Sequence, residues 1–299
     1  MGADFRTAKD VFCLMEAVKR QVSVWNRKSD ILVNNAAQTL TDSIEKEKSA
    51  CRRERLLEAG PGSLVVGYSS YEPRVRGGER LMIEAPVSSP LEQVILEANA
   101  THQHNQDIAG VKEYRSITQL SQPIYKSSWT QSLHEIPYED FVATYSINSL
   151  VPVILVRELL PYMTSASPSE GANPKKPMAH IINVSSREGI FESDPTLSQK
   201  AGHHVHTSMS KAALNMLTET EAPAIWTSHR MAMNTVDPGY MSAAPEFEHK
   251  FGGMRPIGWE DGAGKVRWPN AMCECENCSI WGRFLKNHGA TNVEVGLGR

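Results

Sequence analysis

The chain has 299 residues, enough for one large α/β domain or two small ones. Its hydrophobic content of 40% and charged content of 22% are those of an ordinary globular protein. The net charge of −3 is spread along the chain and gives no electrostatic footing for nucleic acid or an anionic membrane. No apolar run approaches the roughly eighteen residues of a membrane span. The opening residues, Met1 to Arg6, lack an apolar signal core and depart from the myristoylation pattern at Arg6. A cytoplasmic protein with no membrane partner is expected.

The first pattern is helical. Val11, Phe12, Leu14, Met15, Val18, Val22 and Trp25 recur at helical spacing and predict a helix over 7–25. Ser29-Asp30 break it, and Ile31-Leu32-Val33 follow as a continuous apolar run ending in Asn34-Asn35-Ala36-Ala37. Such a run is typical of a parallel strand covered on both faces. From 41 to 132 the rhythm is lost. A charged helical run over 45–58, a Gly60-Pro61-Gly62 turn, a strand-like Leu64–Tyr68 and a helical pattern near Leu91–Leu96 make this an insertion with partial order.

Order returns with a long helix over 138–163, which Pro152 should kink. His180-Ile181-Ile182-Asn183-Val184 is the next buried strand and leads into Ser185-Ser186. A helix then opens near Thr207, a plausible cap, with Leu214 and Leu217 in its apolar stripe. Lys211 lies one turn after Thr207 and shares its face. Pro223 should end or bend this helix before Trp226. Met231–Val236 is a third strand, ending in Asp237-Pro238-Gly239-Tyr240, and the tail predicts a helix and a last short strand. Of five cysteines, Cys273, Cys275 and Cys278 crowd together. Their Cys-x-Cys start and the lack of a second pair argue for an exposed loop with free thiols, and no metal is expected.

Three strands in turn end in small or polar residues: Asn34-Asn35-Ala36-Ala37, Ser185-Ser186 and Pro238-Gly239. In an open parallel sheet the ligand crevice lies at the carboxyl ends of the strands, so these groups converge on one site. Here the chain resembles the short-chain dehydrogenase/reductases. Asp30–Ala37 is similar to their LVNNAG stretch, and Thr207-x-x-x-Lys211 followed by Ala212-Ala213 is similar to their YxxxK helix, with Thr at the Tyr position. The resemblance covers the first residues and those after 132.

It implies a Rossmann-type α/β fold with a parallel sheet and flanking helices, over 1–40 and 133–299, with 41–132 inserted. It also implies NAD or NADP as cofactor and a small-molecule carbonyl or alcohol as substrate. By resemblance Ser186, Lys211, Asn148 and Thr207 take the catalytic positions. Ser186 would bond the substrate oxygen, Lys211 the nicotinamide ribose, and Asn148 a relay water. Asp4, Asn34, Asn35, Ala36, Pro238, Gly239 and Ser242 would join Lys211 in holding the cofactor. A homo-oligomer through the helices carrying Asn148 and Lys211 is a further implication.

Two departures shape the functional expectation. Thr207 has no aromatic ring to delocalise charge, so it cannot serve as the family's general acid/base. His203, His204 and His206 stand just before it, and read either as loop histidines or as a substitute acid of suitable intrinsic pKa. The family's GxxxGxG turn does not precede Asn34, so the expected sheet lacks the first βαβαβ half. That leaves the Asn34 strand as an edge for Leu64–Tyr68 to cover. Three readings are open: an atypical NAD(P)-dependent oxidoreductase, a catalytically inactive binding or scaffold protein of the same fold, or the product of a truncated gene model.

Overall fold

The computed structural model describes residues 2–58, 73–75, 126–163, 175–192, 200–241, 257–276 and 278–291. The chain divides into two compact units, Met1–Arg76 with Lys126–Arg299, and Gly77–Tyr125. None of the second is among the described residues, so every described element belongs to the first. Leu64–Tyr68, Leu91–Leu96 and Ser242 also lie outside the described residues.

The described elements are α1 (Ala8–Trp25), β1 (Ile31–Asn34), α2 (Ile44–Glu58), α3 (Tyr138–Tyr145), α4 (Val151–Met163), β2 (Ala179–Val184), α5 (Val205–His229), β3 (Met231–Asp237), α6 (Trp259–Cys275), β4 (Phe284–Lys286) and β5 (Gly289–Ala290). The sheet order is β1-β2-β3-β4-β5. The first four strands run parallel, with Val33 beside Ile182 and Ile182 beside Asn234, and β5 returns antiparallel to β4. This is the expected α/β architecture, a parallel sheet with helices on its faces.

Side chains alternate between the two faces of the sheet. One face, carrying Ile181, Met231 and Met233, packs on α4 and α5 through Val156, Met163, Ala222 and Ile225. Alongside, α1 buries Val11 and Met15 against Ile154, Leu155 and Leu159 of α4. The other face meets α6 through Ile182, Val236 and Leu285. That cover does not reach β1, where Ile31 is 44% and Val33 41% exposed. The expectation of burial on both faces therefore fails for β1. A continuous apolar run is silent about whether a second layer extends over it.

Other elements depart in detail. The 138–163 stretch divides at a π-helical turn, Ser146–Leu150, which joins α3 to α4. Pro152 lies just beyond it, in the first turn of α4. By length and composition Tyr138–Met163 is apolar enough to cross a membrane, which reading for charge-free runs overlooked. Here Val151, Ile154, Leu155 and Leu159 are buried in the core. Helix α5 begins at Val205 with His204 in the cap position, so Thr207 is inside the helix and caps nothing. It also runs through Pro223 to His229, because Pro223 is exposed and the carbonyl it orphans can meet water. Cys273 is fully buried in α6, while Cys275 is exposed and Cys278 half-buried, so the three are not an exposed loop.

Candidate functional site

The site forms where β2 and β3 end. Every residue of β2 is buried, and its last carbonyl, Val184 O, accepts from Lys211 Nζ at 2.9 Å. The next residue, Ser185, donates to Asn215 Oδ1 of α5 at 2.6 Å. Ser186 then adopts extended backbone and caps a single turn, Arg187–Gly189, with its Oγ accepting from Glu188 N at 3.2 Å. One lone pair is thus engaged and the hydroxyl hydrogen stays free to donate.

Gly189 lets this turn lie directly on α5. A Cβ there would sit 2.5 Å from the backbone of Lys211 and Ala212, closer than any real contact. Asn215 Nδ2 donates to Gly189 O and completes the seam. Burial pushes the Lys211 amine down to about 8, opposed by the charge of Asp237. At neutral pH it is still an ammonium, and after the bond to Val184 O it keeps two N–H donors.

Asp237 ties the two strand ends together. Its carboxylate accepts from Gly239 N at 2.8 Å, Arg187 N at 3.1 Å and Lys286 Nζ at 2.8 Å. It thereby holds the Ser186 turn and the Pro238-Gly239 turn in one frame. Gly239 has φ +95, and a side chain there would run into Ile257, so the backbone requires glycine. Sequence reasoning passed over Asp237. The available signal was an Asp directly before Pro-Gly at a strand end, a place where Asp bonds backbone two residues on.

Asn148 lies in the π turn, fully buried. Its Oδ1 accepts from Gln38 N at 2.8 Å, and its Nδ2 donates to Gln38 O at 2.9 Å and Ser210 Oγ at 3.0 Å. In this arrangement Asn148 pins the segment after β1 to α5, and both its amide hydrogens are engaged. Thr207 is 2% exposed and its Oγ1 has no hydrogen-bond partner. His206 packs edge-on to Phe141, and burial, with the charge of His204 adding to it, pushes its ring down to about 4. It is therefore neutral at pH 7 and does not carry the acidic proton of an imidazolium. His204 is bonded through both ring nitrogens, to Trp129 O and Glu188 Oε2.

On the β1 side, Asn34 turns into the sheet face. Its Nδ2 donates to Asn183 Oδ1 at 2.7 Å, and Asn183 donates in turn to Thr218 Oγ1, which Thr235 also reaches. Asn34 thus braces three strands and α5, while Asn35 and Ala36 are exposed. Ala36 borders a cleft of ≈ 700 Å³ with Asp4, Arg6, Glu47 and Arg74. Asp4 is taken up by Arg6, whose Nη2 lies 2.8 Å from its carboxylate. Burial pushes Asp4 up, but the hydrogen bonds and charge of Arg6 outweigh this and hold it below the usual carboxylate range.

The structure thus gathers Ser186, Lys211, Pro238 and Gly239 around Asp237, and brings Asn148 and Thr207 to them through Ser210, whose Oγ donates to Thr207 O. Asp4 and Ala36 belong to the second cleft. Among the described residues no group of three or more His, Cys, Asp or Glu side chains is placed to hold a metal ion.

No family model and no curated protein matches the chain. Among solved structures it is similar to an oxidoreductase (short chain dehydrogenase/reductase) from Brucella ovis, at 14% identity and a TM-score of 0.45, over 95% of this chain and 79% of that one. It is also similar to the carbonyl reductase Sniffer of D. melanogaster, at 18% identity and a TM-score of 0.41, over 66% and 71%. A third is an NADPH-bound carbonyl reductase from chicken fatty liver, at 22% identity and a TM-score of 0.39, over 54% of this chain and 58% of that one. The chain spans less than two thirds of that last relative.

Proposed function

We propose that the chain is an NAD(P)-dependent oxidoreductase of the short-chain dehydrogenase/reductase type, acting on a carbonyl or alcohol. The observation that carries this reading is the buried Lys211 ammonium, seated on the last carbonyl of β2 beside the Ser186 turn, at the carboxyl end of a parallel sheet. Two free N–H donors on Lys211 suit the paired hydroxyls of a ribose. The left-handed Gly239 allows close approach of a flat ring to backbone. Those residues fit the nicotinamide end of the cofactor, which when bound supplies the hydride. Ser186 would hydrogen-bond the substrate oxygen, and the Lys211 charge would stabilise the alkoxide that hydride transfer forms there, which then takes its proton from solvent. Asn148 and Asp237 hold these groups in place.

Asp4, Asn35 and Ala36 are assigned to the adenosine side, and Ser242, outside the described residues, to the nicotinamide end with Pro238 and Gly239. We divide the chain into a partial Rossmann-type domain over 1–40 and 133–299 with 41–132 as a partly ordered insertion, in a cytoplasmic protein. Exposed Tyr138, Val142, Leu150 and Val153 on the α3–α4 stretch, with Met209 and Met216 on α5, support a homo-oligomer through these helices.

A second reading, a binding protein that turns nothing over, is favoured by Thr207, a sealed hydroxyl where the family has its proton donor. Loss of NADPH absorbance in the presence of a panel of aromatic and aliphatic ketones and aldehydes separates the two. Turnover abolished by Ser186→Ala supports the enzyme. Saturable NADPH binding with no oxidation by any carbonyl supports the binding protein.

A further inference from the structure

His204 stands where three segments meet: the 126–132 loop, the turn after β2 and the start of α5. It is 4% exposed and its backbone is left-handed, φ 40 and ψ 38, an arrangement that a residue other than glycine adopts only where its surroundings impose it. The imidazole stacks flat on Trp129, with ring centroids 4.0 Å apart and planes 4° from parallel. Nδ1 lies 3.0 Å from Trp129 O and Nε2 3.0 Å from Glu188 Oε2, while the backbone N–H of His204 donates to Gln131 O. Both ring nitrogens thus have an oxygen partner. No side-chain bond caps α5, so the ring of His204 is spent on this junction and not on the helix it begins.

Glu188 is the link to the site. Its backbone N–H is the donor that occupies Ser186 Oγ. Burial raises its carboxyl, but the hydrogen bond and charge of His204, with Lys200 and Arg187 nearby, outweigh burial and leave it below the usual range. Among the described residues His204 is the side chain hydrogen-bonded to the Glu188 carboxylate, while Arg187 is paired with Glu192.

We propose that His204 is a positioning residue for Ser186. Through its Nε2 bond to Glu188 it holds the Arg187–Gly189 turn, so that the Glu188 N–H engages one lone pair of Ser186 Oγ and leaves the hydroxyl hydrogen for a substrate oxygen. This role rests on the reading of Ser186 as the substrate-facing hydroxyl.

The test follows the Glu188 amide by nuclear magnetic resonance hydrogen exchange in the full chain. His204→Gly tolerates the left-handed backbone and opens a ring-sized gap between Trp129 and Glu188. Exchange at Glu188 should rise about tenfold or more, as expected when a local turn opens without global unfolding. Added imidazole should restore the protection by refilling the gap. Glu188→Ala, read at the amide of the same position, should exchange as fast and should not respond to imidazole. Unchanged exchange in His204→Gly or Glu188→Ala, or a loss that imidazole fails to reverse, overturns the positioning role. NADPH titration of the wild-type chain, run in parallel, tests the proposed function separately. A chain that binds no NADPH sinks that reading, while the exchange result still decides whether His204 holds the turn.

Discussion

Val33 and Ile182 are neighbours in register on one face of one sheet, yet Val33 is 41% exposed and Ile182 is 1% exposed. Helix α6 lies over β2, β3 and β4 and stops short of β1, so the same strand chemistry is double-layered at the centre and single-layered at the side. The polar groups follow the same division. At the ends of β2 and β3, Ser185, Lys211 and Asp237 are each bonded to a second element. Beyond β1, Asn35 and Ala36 are exposed, and Ala36 borders a cleft in which Asp4 and Arg6 are paired with each other. A site that must hold a reacting atom needs the first kind of construction; a site that only accommodates part of a ligand can be built as the second.

That contrast is open to attack by mutation. Ile182→Ala should cost about 3 kcal/mol in a denaturant melt, by lost burial and the cavity it leaves. Gly189→Ala should cost about the same for the opposite reason, since its Cβ would press into the α5 backbone. Either variant melting like the wild type would contradict the packing described. Asn183→Ala removes the middle of the Asn34–Asn183–Thr218 chain and leaves buried amide and hydroxyl groups unsatisfied, at about 2 kcal/mol.

Lys211 gives a pH signature. Its amine is held at about 8 in the folded chain, against 10.5 for the unfolded reference. Below pH 8 both states carry the proton and the burial penalty is present in full. Between about pH 8 and 10.5 the unfolded chain binds a proton that the folded chain does not, so stability rises with pH. Relative to Lys211→Met, the wild type should therefore gain on the order of 2 kcal/mol across that window. A difference between the two that stays flat with pH would contradict the burial. Smallest of all, Val33→Ala should change stability by no more than about 1 kcal/mol, because nearly half of the side chain already faces water.

Much of this architecture was legible from the chain. Ile31–Val33, His180–Val184 and Met231–Val236 are continuous apolar runs that each stop at polar or small residues, and all three are strands of the parallel sheet. What was not legible is set by contacts far away in sequence. Thr207 has the chemistry of a cap, but the helix begins earlier because His204 is clamped between Trp129 and Glu188, residues 75 and 16 positions away. Cys273 reads as part of a polar Cys-Glu-Cys-Glu run, and only the packing of α6 on the sheet puts it inside. Asp237 was visible as a strand end and no more. Its three bonds reach back to Arg187 and forward to Lys286, and no local pattern announces them.

Everything proposed for the site depends on Lys211 presenting two donors to a bound nicotinamide cofactor. Isothermal titration of NADPH and NADH into the wild-type chain and into Lys211→Met puts that role to the test. Saturable binding of at least one cofactor to the wild type is expected, weakened about tenfold or more in the variant through loss of charged hydrogen bonds. Equal affinity in the two proteins, or no heat of binding to the wild type with either cofactor, would refute it.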